Sequence, residues 1–426
     1  MRFLIKNGRV IDPSSKIDET LDILIDKGKI IDLKPRINDS NAKIIDAARL
    51  IVAPGFIDMH THLREPGRED KETIETGSKA AAKGGFTSIC CMPNTDPVND
   101  NRGVTEYIIS EAKRKVLVNI YPIAAISRNL KGEEMTDMSD LVDAGAIAFS
   151  DDGQPVADSN LMRRALEYSK LINVPIIDHC EDKSLSQNGV MNEGYYSYLF
   201  GLTGIPSVSE EIMVARDLIL AEKTQAKFHL AHLSTEGSVK LLREAKKKEI
   251  KVTAEVTPHH LVLLDSCLET YDSNLKVNPP LRTKNDVKAL VQAIKEGTID
   301  VIATDHAPHT EDEKNVEFNY APFGINGLET AVSLMLDQFV NKGIISIERL
   351  IELFSTNPAS ILGLKNKGKI AIGLDADLTV LNLHKEVVVN KHKFQSKSRN
   401  NPFHNWKLKG IPVLTIVGGK IVWKEK

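Results

Sequence analysis

The sequence predicts an α/β protein: a (β/α)8 barrel of the TIM type with a small β-sandwich domain built from both ends of the chain. Eight short apolar runs recur along the middle of the chain, each followed by a segment of helical composition. They lie at residues 55–60, 86–92, 118–126, 146–150, 174–179, 227–233, 250–256 and 299–305. Strands alternating with helices are typical of a parallel sheet, and eight such units are the number found in a barrel.

The same alternation of strands and helices is also compatible with an open, doubly wound sheet. Sheets of that kind that bind dinucleotides carry a glycine-rich phosphate fingerprint after the first strand. The sequence has no such fingerprint after residue 60. The barrel is therefore the favoured fold.

The two ends of the chain differ from its middle. Both carry short runs of alternating apolar residues, punctuated by Gly, Asp, Asn and Pro, and this pattern is typical of antiparallel strands. We predict that residues 1–53 and 367–426 form one discontinuous β-sandwich domain. Residues 54–366 are predicted to form the catalytic barrel.

Composition and charge favour a small-molecule substrate. The 426 residues are 42% hydrophobic and 27% charged, and the formal net charge is -3, which provides no basic field for nucleic acid or for an anionic membrane. No apolar run has the length of a signal peptide or a membrane span. The four cysteines have neither CxxC nor framework spacing, which indicates reduced thiols. We therefore expect a cytoplasmic protein.

Metal-ligand residue types stand at the ends of several predicted strands: His60, His62, His179, His232 and Asp305. The carboxyl ends of barrel strands meet at one rim, and residues two apart on a strand share a face. Imidazole and carboxylate without thiolate are typical of a catalytic Zn²⁺ that keeps a position for water. An isolated HxH pair is more often a surface or core feature, but five such residues at strand ends predict one metal site.

Two further features lie at the predicted rim. Arg64 follows His62 by two residues, so its guanidinium could bind a substrate carboxylate, with a solvated surface arginine as the alternative. Residues 310–327 follow the eighth strand and lack strong periodicity. They are either a lid that closes on substrate or an irregular surface loop.

Six motifs are distributed along the chain. They are IDMHTHLREPG at 57–67, CMPNTDP at 91–97, FSDDGQP at 149–155, AHLST at 231–235, NPPLR at 278–282 and ATDHAPH at 303–309. Together they resemble the motifs of class I bacterial dihydroorotases, in the amidohydrolase superfamily. The resemblance implies a zinc enzyme that interconverts (S)-dihydroorotate and N-carbamoyl-L-aspartate, the third step of de novo pyrimidine biosynthesis.

The resemblance also implies a set of metal ligands. His60, His62 and Asp305 would bind one Zn²⁺, and His179 and His232 the second; one or two ions per subunit are consistent with this set, and two are expected. Asp152 stands where other superfamily members have a bridging carboxylated lysine. Its choice over Asp151 rests on the resemblance, because neighbouring strand residues point to opposite faces.

The substrate-binding residues are implied in the same way. They are His62, Arg64, Asn94, Asn278, His309 and the main chain around Phe323 and Gly324. Asp305 is expected to be the catalytic group that takes up and returns the proton. A metal ion can make water nucleophilic, so no Ser or Cys nucleophile is required.

Two other classes of function remain open. A hydantoinase, dihydropyrimidinase or allantoinase would share most ligands, but those relatives usually have a lysine where Asp152 stands, and their substrates would leave Arg64 and His309 without an obvious partner. A non-catalytic scaffold would typically have lost ligands, whereas all are present here. We expect a homodimer, and the chain could also dock another enzyme of the pathway, such as aspartate transcarbamoylase.

Overall fold

The N-terminal part of the chain forms five strands, as described by a computed structural model that covers residues 2–425. The strands are β1 (Phe3–Asp12), β2 (Ile17–Asp26), β3 (Lys29–Lys34), β4 (Lys43–Asp46) and β5 (Ile51–Pro54). β1 pairs antiparallel with β2 along one edge and parallel with β4 and then β5 along the other. β1 is therefore the central strand of this end of the chain.

The predicted barrel strands follow in the predicted order. The strands of this region are β6 (Phe56–Thr61), β7 (Phe86–Cys91), β8 (Asn119–Ala124), β9 (Ala148–Phe149), β10 (Ile176–Asp178), β11 (Met191–Asn192), β12 (Gly204–Ile205), β13 (Phe228–Leu230), β14 (Val252–Val256) and β15 (Val301–Ile302). All except the small pair β11 and β12 form one parallel sheet in chain order. Thr61 forms a parallel bridge with His306, and His62 N donates to His306 O at 2.9 Å. These contacts join the last strand end to the first, so the barrel prediction is confirmed.

The chain forms long helices, which pack around the outside of the barrel, and short helices in the loops. They are α1 (Ile74–Gly84), α2 (Arg102–Lys115), α3 (Met138–Ala144), α4 (Ser159–Ile172), α5 (Lys183–Ser186), α6 (Tyr195–Phe200), α7 (Val208–Thr224), α8 (Glu236–Lys247), α9 (Pro258–Val262), α10 (Lys284–Glu296), α11 (Glu311–Lys314), α12 (Ala331–Met335), α13 (Ile347–Ile351) and α14 (Asn357–Ile361). Several begin at a side-chain cap, such as Thr73 at α1 and Thr283 at α10. Apolar helix residues such as Leu242 and Leu290 are fully buried, which leaves the strand ends to form the site.

Strands from the two ends of the chain share one mixed sheet. The C-terminal strands are β16 (Leu378–Val388), β17 (Lys407–Val417) and β18 (Lys420–Lys424). β16 pairs antiparallel with β5, with Leu378 opposite Pro54. The predicted fold class, with its module from both termini, is confirmed, while the domain boundaries at 53/54 and 366/367 remain predictions. Between residues 2 and 425, no helix has the length and apolarity needed to cross a membrane.

A buried arginine anchors the β11–β12 pair to the barrel. Arg282 is 2% exposed. Its Nη1 donates to Asn192 Oδ1 and to Ile205 O, both at 2.9 Å, and its Nε donates to Ser234 Oγ at 3.0 Å. Its Nη2 lies 3.9 Å from Glu210 Oε2. One side chain therefore satisfies groups on three separate segments.

We expect Arg282→Met to lower the free energy of unfolding by about 3 to 5 kcal/mol, because it leaves Glu210 buried without its counter-charge and the acceptors without donors. Urea denaturation of both proteins measures the loss. The matched control is Arg163→Met on α4, whose ion pair with Glu167 is exposed and worth about 1 kcal/mol or less. Equal losses in the two variants would contradict the assignment.

Candidate metal centre

Six side chains from the ends of five barrel strands meet at one rim. All six are buried: His60, His62, Asp152, His179, His232 and Asp305. Asp152 Oδ1 lies 3.3 Å from His60 Nε2 and 3.6 Å from His232 Nε2. Asp305 Oδ1 lies 3.0 Å from His62 Nε2 and 3.6 Å from His60 Nε2. The fold thus brings together residues that are up to 245 positions apart in the chain.

Two groups of atoms at this rim have the spacing that a metal ion needs. The ligand atoms of His60, His62 and Asp305 lie within 4.8 Å of one another, and so do those of His60, Asp152 and His232. His179 Nδ1 lies 2.9 Å from His232 Nε2 and 3.7 Å from Asp152 Oδ1. His60 is common to both groups, and the carboxylate of Asp152 lies within 3.7 Å of all four histidines, so the cluster could hold a metal ion.

Hydrogen bonds fix which nitrogen of two histidines faces the cluster. His60 Nδ1 donates to Glu255 Oε1 at 2.7 Å, and His62 Nδ1 donates to Asn94 Oδ1 at 2.8 Å. Because both partners only accept, the lone pair of each Nε2 faces the cluster. His60 Nε2 and Asp152 Oδ1 are buried and have no hydrogen-bond partner in the described chain. Such orphaned acceptors are costly unless a cation lies between them, so these residues fit a divalent metal with nitrogen and oxygen ligands.

The histidines at the rim strongly affect the pKa values of the two aspartates. Burial acts to raise the pKa of Asp152 and of Asp305, but the neighbouring histidines outweigh it and hold both pKa values below the usual range. In the protonated, metal-free form of the histidines, the largest opposing contribution for Asp152 is the charge of His60, and for Asp305 it is the hydrogen bond that His62 then donates. Both carboxylates are therefore ionised at neutral pH.

Three residues of the site have left-handed backbone conformations. The φ angles are 25° at His232, 45° at Asp305 and 62° at Arg64. A non-glycine residue in this region costs about 1 to 3 kcal/mol, and such residues cluster at functional sites. Each of these residues stands where a strand gives way to a loop, so the turn directs its side chain to the rim.

Asp151 and Asp152 point to different surroundings. Asp151 Oδ1 accepts from the main-chain N–H groups of Ile126 at 2.8 Å and Ser127 at 3.0 Å. Its carboxylate therefore braces the segment that follows β8, whereas Asp152 faces the histidines. In the described part of the chain no lysine forms an ion pair with either aspartate of the cluster, Asp152 or Asp305.

A cavity of about 420 Å³ opens beside the cluster. Its lining includes every residue for which substrate binding is predicted: His62, Arg64, Asn94, Asn278, His309, Phe323 and Gly324. Arg64 Nε donates to Pro308 O at 3.2 Å, and its Nη2 lies 3.4 Å from His309 Nε2. Among residues 2–425 no carboxylate forms an ion pair with Arg64, so its positive charge is available to an anionic ligand.

Some of these groups already have partners in the protein. Asn278 Nδ2 donates to Glu181 Oε2 at 3.0 Å, and Phe323 O lies 2.9 Å from His309 Nε2. Gly324 N donates to Lys276 O at 2.9 Å. With φ at 142°, Gly324 lies so close to Ala307 that a Cβ would come within 2.8 Å of its carbonyl oxygen. These bonds shape the loop 310–327, which lies over the pocket.

Three residues that support the site were not predicted from the sequence. Glu255 accepts from His60 Nδ1 at 2.7 Å and from His229 Nε2 at 3.2 Å. Burial acts to raise the pKa of Glu255, but the charges and hydrogen bonds of His60 and His229 together lower it to about 2. Glu181 lies 3.0 Å from His179 Nε2, and Asn400 donates to Gly324 O at 3.0 Å. The position of a carboxylate inside an otherwise apolar strand could have identified Glu255 as a supporting residue. No feature of the sequence around Asn400 indicates its role.

Fold and site together define a class: a (β/α)8 barrel with a candidate metal site at its strand ends. A family model described as dihydro-orotase-like matches residues 48–238. Dihydroorotases of Acetivibrio thermocellus and Syntrophus aciditrophicus are 52% and 50% identical, and the matches cover 99% to 100% of all chains. An L-hydantoinase (dihydropyrimidinase) structure from Arthrobacter aurescens has a TM-score of 0.91 at 26% identity, covering 99% of this chain and 96% of that one. The chain belongs to the dihydroorotase family, as the motif resemblance predicts, and is an enzyme.

We expect Asp152→Ala to lower zinc affinity about tenfold or more, because it removes a ligand. Asp151→Ala is the matched control, and its effect on zinc content should be smaller. Metal analysis after equilibration with limiting Zn²⁺ measures both. Removal of carbon dioxide should leave zinc content unchanged, since an aspartate needs no carboxylation. Greater zinc loss in Asp151→Ala, or zinc loss on removal of carbon dioxide, would refute the bridging assignment.

Proposed function

We propose that the protein is a zinc-dependent dihydroorotase that reversibly hydrolyses the cyclic amide of (S)-dihydroorotate to N-carbamoyl-L-aspartate. The observation that carries the proposal is the guanidinium of Arg64, which lies in the pocket beside the cluster and forms no ion pair with a carboxylate among residues 2–425. A cyclic amide that carries a carboxylate supplies the missing counter-charge. Family membership supports the same reaction.

The metal set of the proposal is the one expected from the sequence. His60, His62 and Asp305 would hold one Zn²⁺, and His179 and His232 the second, with Asp152 shared. A zinc ion bound there lowers the pKa of water from about 15.7 towards about 7 and polarises the amide carbonyl. The orphaned acceptors His60 Nε2 and Asp152 Oδ1 support this arrangement.

Arg64 and His309 would orient the substrate. Arg64 can form a bidentate pair with the substrate carboxylate and so hold it away from the metal ligands. Burial, and then the charge of Arg64, lower the pKa of His309 to about 3. At neutral pH His309 is therefore an uncharged partner that can contribute a hydrogen bond. Asn94 offers its side-chain Nδ2, since its Oδ1 accepts from His62.

Asp305 would move the proton. Its carboxylate takes the proton from the attacking water and passes it to the ring nitrogen as the amide carbon–nitrogen bond breaks. In the direction of ring closure the same carboxylate takes the proton from the carbamoyl nitrogen, as microscopic reversibility requires. The contact of Asp305 Oδ1 with His62 Nε2 holds the carboxylate at the rim.

A hydantoinase or dihydropyrimidinase activity is the second candidate, supported by the shared fold. Substrates of these kinds lack the carboxylate that Arg64 would bind, which favours dihydroorotate. The reaction would be the third step of pyrimidine biosynthesis. The proposal also includes a cytoplasmic location, a homodimer and a complex with aspartate transcarbamoylase.

The purified protein should therefore hydrolyse dihydroorotate much more efficiently than 5,6-dihydrouracil, which lacks the carboxylate. Arg64→Ala should reduce kcat/KM for dihydroorotate by about ten- to a hundredfold, the loss expected for one charge-assisted hydrogen bond. The value for 5,6-dihydrouracil should change little. Equal losses for both compounds would remove Arg64 from the carboxylate site, and a preference for 5,6-dihydrouracil in the parent would favour the second candidate.

Asp305→Asn should lower hydrolysis and cyclisation together by about a hundredfold or more, because one carboxylate moves the proton in both directions. Rates are measured from both substrates, with the zinc content of the same samples as a control. If the variant keeps full zinc and activity within a few-fold of the parent, another group moves the proton.

A further inference from the structure

Two buried lysines lie beneath the loop that covers the pocket. Lys276 is 2% exposed and Lys314 is 5% exposed. In the part of the chain that the structure describes, neither forms an ion pair with a carboxylate. Lysine is almost never fully buried without a counter-charge, because desolvation of an ammonium group is costly. Their burial therefore needs a compensating set of acceptors.

Main-chain carbonyls supply the acceptors for Lys314, which lies at the end of α11 in the loop. Its Nζ donates to Pro322 O at 2.7 Å, to Ser273 O at 2.8 Å and to Lys276 O at 3.3 Å. Ser273 Oγ in turn donates to Lys314 O. Two of these bonds connect the loop to the segment 273–276, and the third, to Pro322 O, lies within the loop.

Lys276 makes the reverse connection from that segment into the loop. Its Nζ donates to Phe318 O and to Asn319 O, both at 2.9 Å, and lies 4.8 Å from the centre of the Phe323 ring. Its carbonyl accepts from Gly324 N at 2.9 Å. Each ammonium group therefore binds the segment that carries the other.

We propose that Lys276 and Lys314 form a reciprocal lysine latch that positions the loop 310–327 over the substrate pocket. The latched segments carry Phe323 and Gly324 on one side and Asn278, two residues beyond Lys276, on the other. The latch acts through these groups and touches no reacting atom. The role of the pocket rests on the proposed function, whereas the latch itself does not.

The latch can be tested first in the unmodified holoenzyme. Covalent labelling of lysines, followed by mass spectrometry, should modify Lys276 and Lys314 at least about tenfold more slowly than Lys391, because latched ammonium groups seldom reach solvent. Lys391 is the matched control, since it lines a neighbouring cavity with Lys314. Labelling of Lys314 at the rate of Lys391 would overturn the proposal without any variant.

Variants then test what the latch does. Lys314→Met and Lys276→Met should each speed amide hydrogen exchange in residues 316–325 and raise KM for dihydroorotate about tenfold, with kcat within about threefold, as expected for loss of uniform binding. The double variant should be little worse than either single variant, because both remove one coupled unit. Lys314→Arg, which retains the donors, should recover most of the KM, and Lys391→Met should behave as the parent.

Three outcomes would overturn the latch: parental exchange of the loop in both methionine variants, strictly multiplicative effects on KM, or an equal effect of Lys391→Met. Failure of the proposed function gives a different result. In that case the unmodified enzyme does not turn over dihydroorotate, while labelling and exchange still report whether the loop is latched. If a methionine variant does not fold, the labelling of the unmodified enzyme decides.

Discussion

The site depends on the cost of burying lone pairs that face one another. His60 Nε2 and Asp152 Oδ1 lie 3.3 Å apart, both buried and neither with a hydrogen-bond partner in the described chain. Asp305 adds a second carboxylate 3.6 Å from the same nitrogen. A cation between these atoms turns the unfavourable contact into coordination bonds. The strand ends and their strained turns place these atoms next to one another, and neighbouring carboxylates hold the histidine rings in position.

Buried carboxylates outside the cluster make the arrangement rigid. Glu255 fixes the ring of His60, and Glu181 contacts His179. Asp58 accepts from His60 N and from Thr304 N, both at 3.1 Å, and so ties the first barrel strand to the last. Ligands held in this way lose little freedom on binding a metal. The same bonds that close the barrel therefore also orient the site.

The C-terminal part of the chain contributes to the pocket as well as to the terminal sheet. Asn400 donates to Ala307 O at 2.9 Å and to Gly324 O at 3.0 Å, so it joins the end of the eighth strand to the loop 310–327. Together with the reciprocal bonds of Lys276 and Lys314, this contact ties an otherwise irregular loop to the segments around the pocket. The loop is thus a packed part of the site, with its polar main chain satisfied from three segments.

The sequence alone determined the barrel, the module from both termini and the positions of His60, His62, His179, His232 and Asp305 at strand ends. It could do so because strand period, helix alternation and ligand chemistry are local properties of the chain. Tertiary structure alone decided which nitrogen of His60 and of His62 faces the rim. The local strand pattern could not separate Asp152 from Asp151, and only the motif resemblance favoured Asp152 before the structure placed it at the histidines. It also decided that Lys276, Lys314 and Asn400 hold the loop. These outcomes depend on hydrogen bonds between segments far apart in sequence, and no local pattern encodes such a contact.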